Sequence, residues 1–297
     1  MGEEIKVSIV MTAYNVENYI ERAILSVLNS TYKNIELIIV EDCSTDGTVE
    51  KIKSITDPRI KVIYHDRNLG AGCSRFNGIK AITGDYTLFV DSDDWIDNNW
   101  IEELVKAAIE SNADITSGGM VVEIEKDDEI ISDFLPVVEC YLKKNQVFAM
   151  GSNISYRFLN LSLIRSTLWN KVEYCKWRFL EDSPTFIKLL SYANGRKLIP
   201  YVGYHYYQNP DSLCHVTPTA EKEIYRMKML KDLWKFQEGI DNKIISPEHV
   251  IETFYKCKFS GMNLSKYKKE IKEIELFITK IIHEILWKEV ETKEEFS

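Results

Sequence analysis

The sequence has no CxxC pair, no GxGxxG or GxxxxGK[ST] run, no excess of positive charge, and no apolar stretch near the roughly 20 residues that span a bilayer. Each absence removes a class of protein. The six cysteines, Cys43, Cys73, Cys140, Cys175, Cys214 and Cys257, are scattered too widely for a zinc knuckle or a compact disulfide framework. They read as reduced thiols of a cytoplasmic protein. The missing glycine fingerprints argue against a dinucleotide fold and a P-loop. A net charge of −9 argues against a nucleic-acid partner, because phosphate backbones favour basic surfaces. An anionic small substrate would then need local arginines or a metal. The opening MGEEIKVSIV lacks the basic segment and long apolar core of a signal peptide, so the expectation is a cytoplasmic protein that is not integral to a membrane. Internal repeats and low-complexity tracts are also missing.

What is present is ordinary in bulk and specific in pattern. The 297 residues are 45% apolar and 28% charged, which suits a soluble globular chain of one large domain or two smaller ones. Four short runs, Val7–Met11, Ile35–Val40, Ile60–Tyr64 and Tyr86–Val90, have strand length and are rich in β-branched or aromatic residues. Between them, Asn18–Leu28, Thr48–Ile55 and Ala71–Ile82 carry helical periodicity; Ile20, Ala23, Ile24, Val27 and Leu28 fall on one face. This alternation predicts an α/β fold with a doubly wound, mostly parallel sheet flanked by helices. The runs end in TAYN, EDCSTDG, HDRNLG and DSDD, so polar residues gather where open α/β sheets bind ligands. Further on come a helix over Asn98–Ser111, a strand around Asp114–Ile124, a hairpin tip in Glu125–Asp133, and mixed helix and loop over Lys143–Gly195. From about Thr219 the chain turns Lys/Glu-rich and helical, which places a boundary between residues 1–218 and a C-terminal helical extension, 219–297.

The segment LFVDSDDW sets three carboxylates, Asp91, Asp93 and Asp94, directly behind an apolar strand. Like charges this close repel, and desolvated carboxylates are costly without a partner. The acids either point into water or hold a cation.

Taken in order, VSIVMTAYN, ELIIVEDCSTDGT, RNLGAGCSRFNG, GDYTLFVDSDDW and the later FLEDS resemble the inverting family 2 glycosyltransferases of GT-A fold, over about Lys6 to Ser191. The resemblance implies a sugar transferase that uses a nucleotide diphosphate sugar, a uridine one in the first instance, with Mn²⁺ or Mg²⁺ as cofactor. It implies Asp93 as principal metal ligand, Asp91 near the ribose or metal, Asp94 in support, and Ser92 at the nucleotide. Thr12, Ala13, Tyr14 and Asn15 would wall the base pocket, with the Tyr14 ring free to stack, and Asp42 would accept a hydrogen bond from the uracil N–H. Ala13 stands where many relatives have proline; Glu41 replaces the commoner aspartate and Cys43 the commoner glycine. Asn68, Gly70 and Arg75 would lie near the nucleotide, at the positive end of a helix starting near Ala71. Arg67 reads equally as a surface ion pair, and Asp46 as a turn or helix-cap residue.

In FLEDS, Asp182 matches the base that removes the acceptor hydroxyl proton, with Glu181 as its neighbour. Trp169, Asn170 and Lys171 are candidates for the sugar or acceptor site, tryptophan burial in the core being the alternative. His215 is a candidate metal contact, as is His205. The absence of a QxxRW element points to single-sugar transfer. By family habit the acceptor is a glycan, lipid-linked or protein, in assembly of a bacterial surface glycan at the inner face of the membrane. The isoleucine stripe of Ile271–Trp287 fits packing within the chain, a homo-oligomer or peripheral membrane contact. A nucleotidyltransferase of similar architecture, a non-catalytic nucleotide-binding module and a scaffold protein are the rival readings.

Overall fold

The computed structural model describes residues 5–126, 129–135, 138–143, 159–178, 180–209, 212, 219–240, 245–256 and 265–294. The chain divides into two compact units, Met1–Ser212 and Leu213–Ser297. The first opens with β1 (Val7–Ala13), α1 (Ile20–Leu28), β2 (Ile35–Glu41), α2 (Thr48–Ser54), β3 (Ile60–Tyr64), α3 (Ala71–Ile79) and β4 (Tyr86–Phe89). It continues with β5 (Trp95–Ile96), α4 (Trp100–Ser111), β6 (Ile115–Lys126), β7 (Glu129–Leu135), β8 (Cys140–Lys143), β9 (Ser162–Arg165), α5 (Asp182–Tyr192) and β10 (Gly195–Tyr207).

One sheet runs β3-β2-β1-β4-β9-β6-β10-β5, with β7 paired to β6 and β8 to β10. The expected parallel arrangement holds for β3, β2, β1 and β4. Beyond β4 the sheet becomes mixed: β9 is antiparallel to both β4 and β6, while β6 and β10 run parallel. The helix stripe read from the sequence faces the core, since Ile20, Ala23, Ile24, Val27 and Leu28 are all buried. Each of its isoleucine, valine and leucine side chains contributes about 1.5–3 kcal/mol of burial. Near-continuous apolar strands follow from coverage on both faces: every residue of β1 except Thr12 is buried.

The strand order brings the loops after β1, β2, β3 and β4 to one sheet edge, and hydrogen bonds tie them together. The Asp42 N–H donates to the Ala13 carbonyl, His65 N–H to that of Glu41, and Val90 N–H to that of Val10.

The second unit contains α6 (Thr219–Gln237), α7 (Pro247–Lys256) and α8 (Lys268–Glu294). Ile274, Phe277, Ile278 and Ile281 of α8 pack with Met227, Leu230 and Trp234 of α6 and Val250 of α7. Much of the isoleucine stripe is thus consumed within its own unit, leaving Leu276 as an exposed apolar residue of the helix. No helix among the described residues is long and apolar enough to cross a membrane.

Candidate active site

The β1 and β2 loops form a stitched wall. Asn15, with φ of 52°, donates its N–H to Ser44 Oγ, and its Oδ1 accepts the Thr45 N–H at 2.8 Å. Val16 N–H donates to Thr48 Oγ1, and Glu17 accepts the Gly47 N–H. Glu41 accepts the N–H groups of Cys43 and Ser44 and so shapes the loop from within. Cys43 holds φ of 64°, the left-handed region, which a glycine would adopt without strain. Asp46 accepts N–H bonds from Glu17 and Thr48, as a turn residue does. The Tyr14 ring projects from this wall, 42% exposed.

Asp42 is almost fully occupied by the protein. Its Oδ1 lies 2.7 Å from His65 Nδ1 and accepts the Leu69 N–H at 2.8 Å, while Oδ2 accepts the Gly70 N–H at 2.7 Å. These bonds fold the RNLG loop onto the end of β2. Gly70, with φ of 88°, makes the turn into α3, and Asn68 and Arg67 are exposed on it.

The DSDD loop is gripped from the far end of β10. The Tyr204 hydroxyl accepts the Asp91 N–H at 3.2 Å and donates to Asp94 Oδ2 at 2.6 Å, and the Tyr207 N–H donates to Asp94 Oδ1 at 2.9 Å. Asp94 is thereby spent on the fold, buried at 0% exposure. Burial, with Asp93 and Asp91 beside it, pushes its carboxyl well above the carboxylate range. The next helix, α4, begins only at Trp100. Ser92 is buried as well. Asp93 takes one bond, Asn209 Nδ2 to Oδ2 at 3.2 Å, and its backbone carbonyl accepts Arg22 Nη2 at 2.8 Å. The Arg22 guanidinium lies 3.7 Å above the Trp95 ring. Burial, reinforced by Asp91, pushes the Asp93 carboxyl up to about 6.

The decisive contact joins two regions remote in sequence. Arg75 Nη2 donates to Asp91 Oδ1 at 2.6 Å, and Arg75 Nη1 donates to Glu181 Oε1. One guanidinium therefore spans from the acidic loop to the first turn of α5, where Asp182 is the first helical residue. Gly72 makes the approach possible. Its N–H donates to the Trp177 carbonyl, and a Cβ there would stand 2.3 Å from that oxygen, so only glycine lets residues 175–177 lie against α3. Leu180 then turns the chain with φ of 55°, a conformation that costs a non-glycine residue about 1–2 kcal/mol. Asp182 is half-buried and takes only a 3.4 Å bond from its neighbour Ser183 among the described residues.

Burial pushes Glu181 up to about 7; Arg75 opposes the rise and Asp182 adds to it. A carboxyl with a raised native value binds its proton more tightly folded than unfolded. The stability this supplies is complete below the ordinary 4.5 and is lost as pH climbs through about 7. Glu181→Gln cannot ionise. Melting curves should show the wild type losing roughly 5 °C more than this variant between about pH 5 and pH 7.5.

Four further candidates are Trp169, Asn170, Lys171 and His205. Trp169 belongs to the core: its indole N–H donates to Thr87 Oγ1 at 3.2 Å and its ring meets Phe89 edge-on at 5.8 Å. Its ring also lies against Tyr174, with centroids 6.2 Å apart. Lys171 reaches the Tyr192 ring at 5.8 Å, at the opposite end of α5 from Asp182 and so about 15 Å along the helix. Asn170 is exposed at the end of the turn that carries Trp169. His205 has both ring nitrogens within hydrogen-bond distance of carboxylates, Glu123 and Asp97, and stacks on Trp95 at 4.9 Å. His215 lies outside the described residues. Sequence reading missed His65, Asn77, Arg22, Asn160, Tyr204 and Asn209, although His65 stands inside HDRNLG and Asn77 inside RNLGAGCSRFNG.

Residues 8–172, more than half of the chain, match the family model described as glycosyl transferase family 2. The chain belongs to that family. Glycosyltransferase GlyA of Streptococcus pneumoniae is 39% identical over 114 residues, 38% of this chain and 16% of that protein. The Escherichia coli UDP-Glc:alpha-D-GlcNAc-diphosphoundecaprenol beta-1,3-glucosyltransferase WfgD is 35% identical over 130 residues, 43% of this chain and 50% of WfgD. The chain spans less than half the length of the first curated relatives it matches. The structure of S. aureus TarS 1–349 with UDP-GlcNAc superposes with a TM-score of 0.64 at 17% identity, covering 91% of this chain and 77% of that one. This likeness shows the GT-A fold.

Proposed function

We propose that this family 2 protein is a metal-dependent inverting glycosyltransferase that moves one sugar from a uridine diphosphate sugar to an acceptor hydroxyl in surface glycan assembly. The observation that carries the reading is the Arg75 bridge, which ties Glu181, the chain neighbour of Asp182, to the acidic loop. The UDP-GlcNAc complex of TarS supports the donor class, and the diphosphoundecaprenol named for WfgD supports a lipid-linked glycan acceptor.

The donor set around Asp93 fits a divalent cation. Among the described residues Asp93 accepts one side-chain bond, from Asn209, and burial with Asp91 beside it makes its negative charge costly without a counter-ion. Asp91 is engaged by Arg75 and, at 3.5 Å, by Asn160. No group of three or more His, Cys, Asp or Glu side chains forms a complete cage among the described residues. Hard oxygen ligands from diphosphate and water would complete the shell, as Mg²⁺ and Mn²⁺ sites at phosphates commonly do. When bound, the ion would neutralise charge on the departing diphosphate.

The chain's own residues then account for the transfer. The acceptor oxygen attacks the anomeric carbon, its proton passes to Asp182, and the bond to the diphosphate breaks to release UDP. Orientation of the two substrates supplies much of the remaining rate.

A thermal-shift panel of UDP, GDP and CDP, with and without Mn²⁺, tests the proposal. The expected result is a UDP shift that needs Mn²⁺ and disappears in Asp93→Ala. Equal shifts in that variant would remove the metal role, and turnover of nucleoside triphosphate with release of pyrophosphate would replace the transferase reading.

A further inference from the structure

Asp42 is held by a side chain that the transferase reading leaves without a task. His65 follows β3 directly, and its ring is 7% exposed against the 4% of the Asp42 side chain. On its far side, His65 Nε2 meets Asn77 Nδ2 of α3 at 2.9 Å. An amide NH₂ can only donate, so Nε2 accepts and the ring proton sits on Nδ1, facing Asp42 Oδ1. A carboxylate offers about four lone-pair positions. His65 and the Leu69 N–H take both on Oδ1, and the Gly70 N–H takes one on Oδ2. A single acceptor position remains, on Oδ2.

We infer that His65, oriented by Asn77, is a positioning residue for nucleobase selection: it fixes the Asp42 carboxylate so that one Oδ2 lone pair is left to accept a ring N–H of the donor base. The inference rests on the uridine reading above and extends it. Uracil presents an N–H where cytosine presents a lone pair, so a fixed, acceptor-only carboxylate admits the first and repels the second. Without the Nδ1–H bond the carboxylate can rotate, and the discrimination should fall before the fold does.

The experiment is calorimetric titration of the full chain with UDP and with CDP in excess Mn²⁺. A charge-assisted hydrogen bond of this kind sets the scale, so His65→Phe should weaken UDP about tenfold or more and bring the UDP:CDP preference close to one. His65→Asn places an amide NH₂ where Nδ1–H stood, and should restore affinity to within about threefold of wild type. A bulk structural role would move both nucleotides alike and would not be rescued by asparagine. If the phenylalanine variant does not fold, Asn77→Leu carries the same test with a smaller expected loss of selectivity. Unchanged selectivity in a folded His65→Phe or Asn77→Leu protein overturns the inference. Asp42→Asn separates the two levels. Lost UDP affinity there with normal His65→Phe binding refutes only the histidine role, whereas normal UDP affinity in Asp42→Asn refutes the base pocket itself.

Discussion

Asp182→Asn is expected to lower the turnover of sugar transfer by about 10²–10⁴-fold while leaving UDP affinity near wild type. The carboxylate stands at the first residue of α5, held among the described residues only by a long bond from Ser183, so the substitution removes a proton acceptor without unpairing a buried group. The amide is nearly isosteric and keeps the Ser183 contact. Single-turnover rates measured beside UDP titrations separate the two effects. Loss of nucleotide binding together with rate would assign Asp182 to the donor pocket, and full activity would remove it from the chemistry.

Arg75→Met is expected to have the largest effect on stability. The guanidinium is shared between Asp91, with 28% of its side chain exposed, and Glu181, with 5%. At pH 8, above the value of about 7 to which burial pushes Glu181, removing it leaves an ionised Glu181 buried beside Asp182 with no compensating cation. Breaking one side of a buried ion pair costs about 3–5 kcal/mol, because the partner charge is stranded. Asp91 can turn toward water; Glu181 must take up a proton. The double variant Arg75→Met/Glu181→Gln should therefore recover a substantial part of the loss, since the stranded charge is gone. Urea denaturation followed by amide exchange in β1 and β4 reads the first unit separately from the helical one. A loss under about 1 kcal/mol would show that the bridge is solvated and contributes as little as surface pairs do.

Much of the first half of the sheet, and of the loops at its edge, was legible in the sequence, and for a physical reason. Strands buried on both faces need near-continuous β-branched runs, so β1 to β4 announced themselves, and the polar tetrads that follow could only lie at their carboxyl ends. The second half was less readable. β10 contains Pro200 and Gly203 and mixes tyrosines with Arg196, Lys197 and His205, a composition that looks like loop. β9 is four residues long. Both are fixed by partners far along the chain, which no local pattern encodes. The same holds for function: Tyr204 and Asn209 hold aspartates over 100 residues away. Arg75 was visible as a cation near the nucleotide, yet its role as the link to Glu181 depends on Gly72 admitting residues 175–177. Asp94 illustrates the opposite case, an acid inside a metal-like triplet that the fold consumes for itself.

The most direct measurement is a crystal structure of the full chain soaked with UDP and Mn²⁺. The account predicts the base against Tyr14 and Asp42, the diphosphate at Asp93, and the Asp182 carboxylate facing the β-phosphate across one open space with Arg75 still bridging Asp91 and Glu181. A nucleotide bound on another face, or Asp182 walled off from the diphosphate, would contradict it.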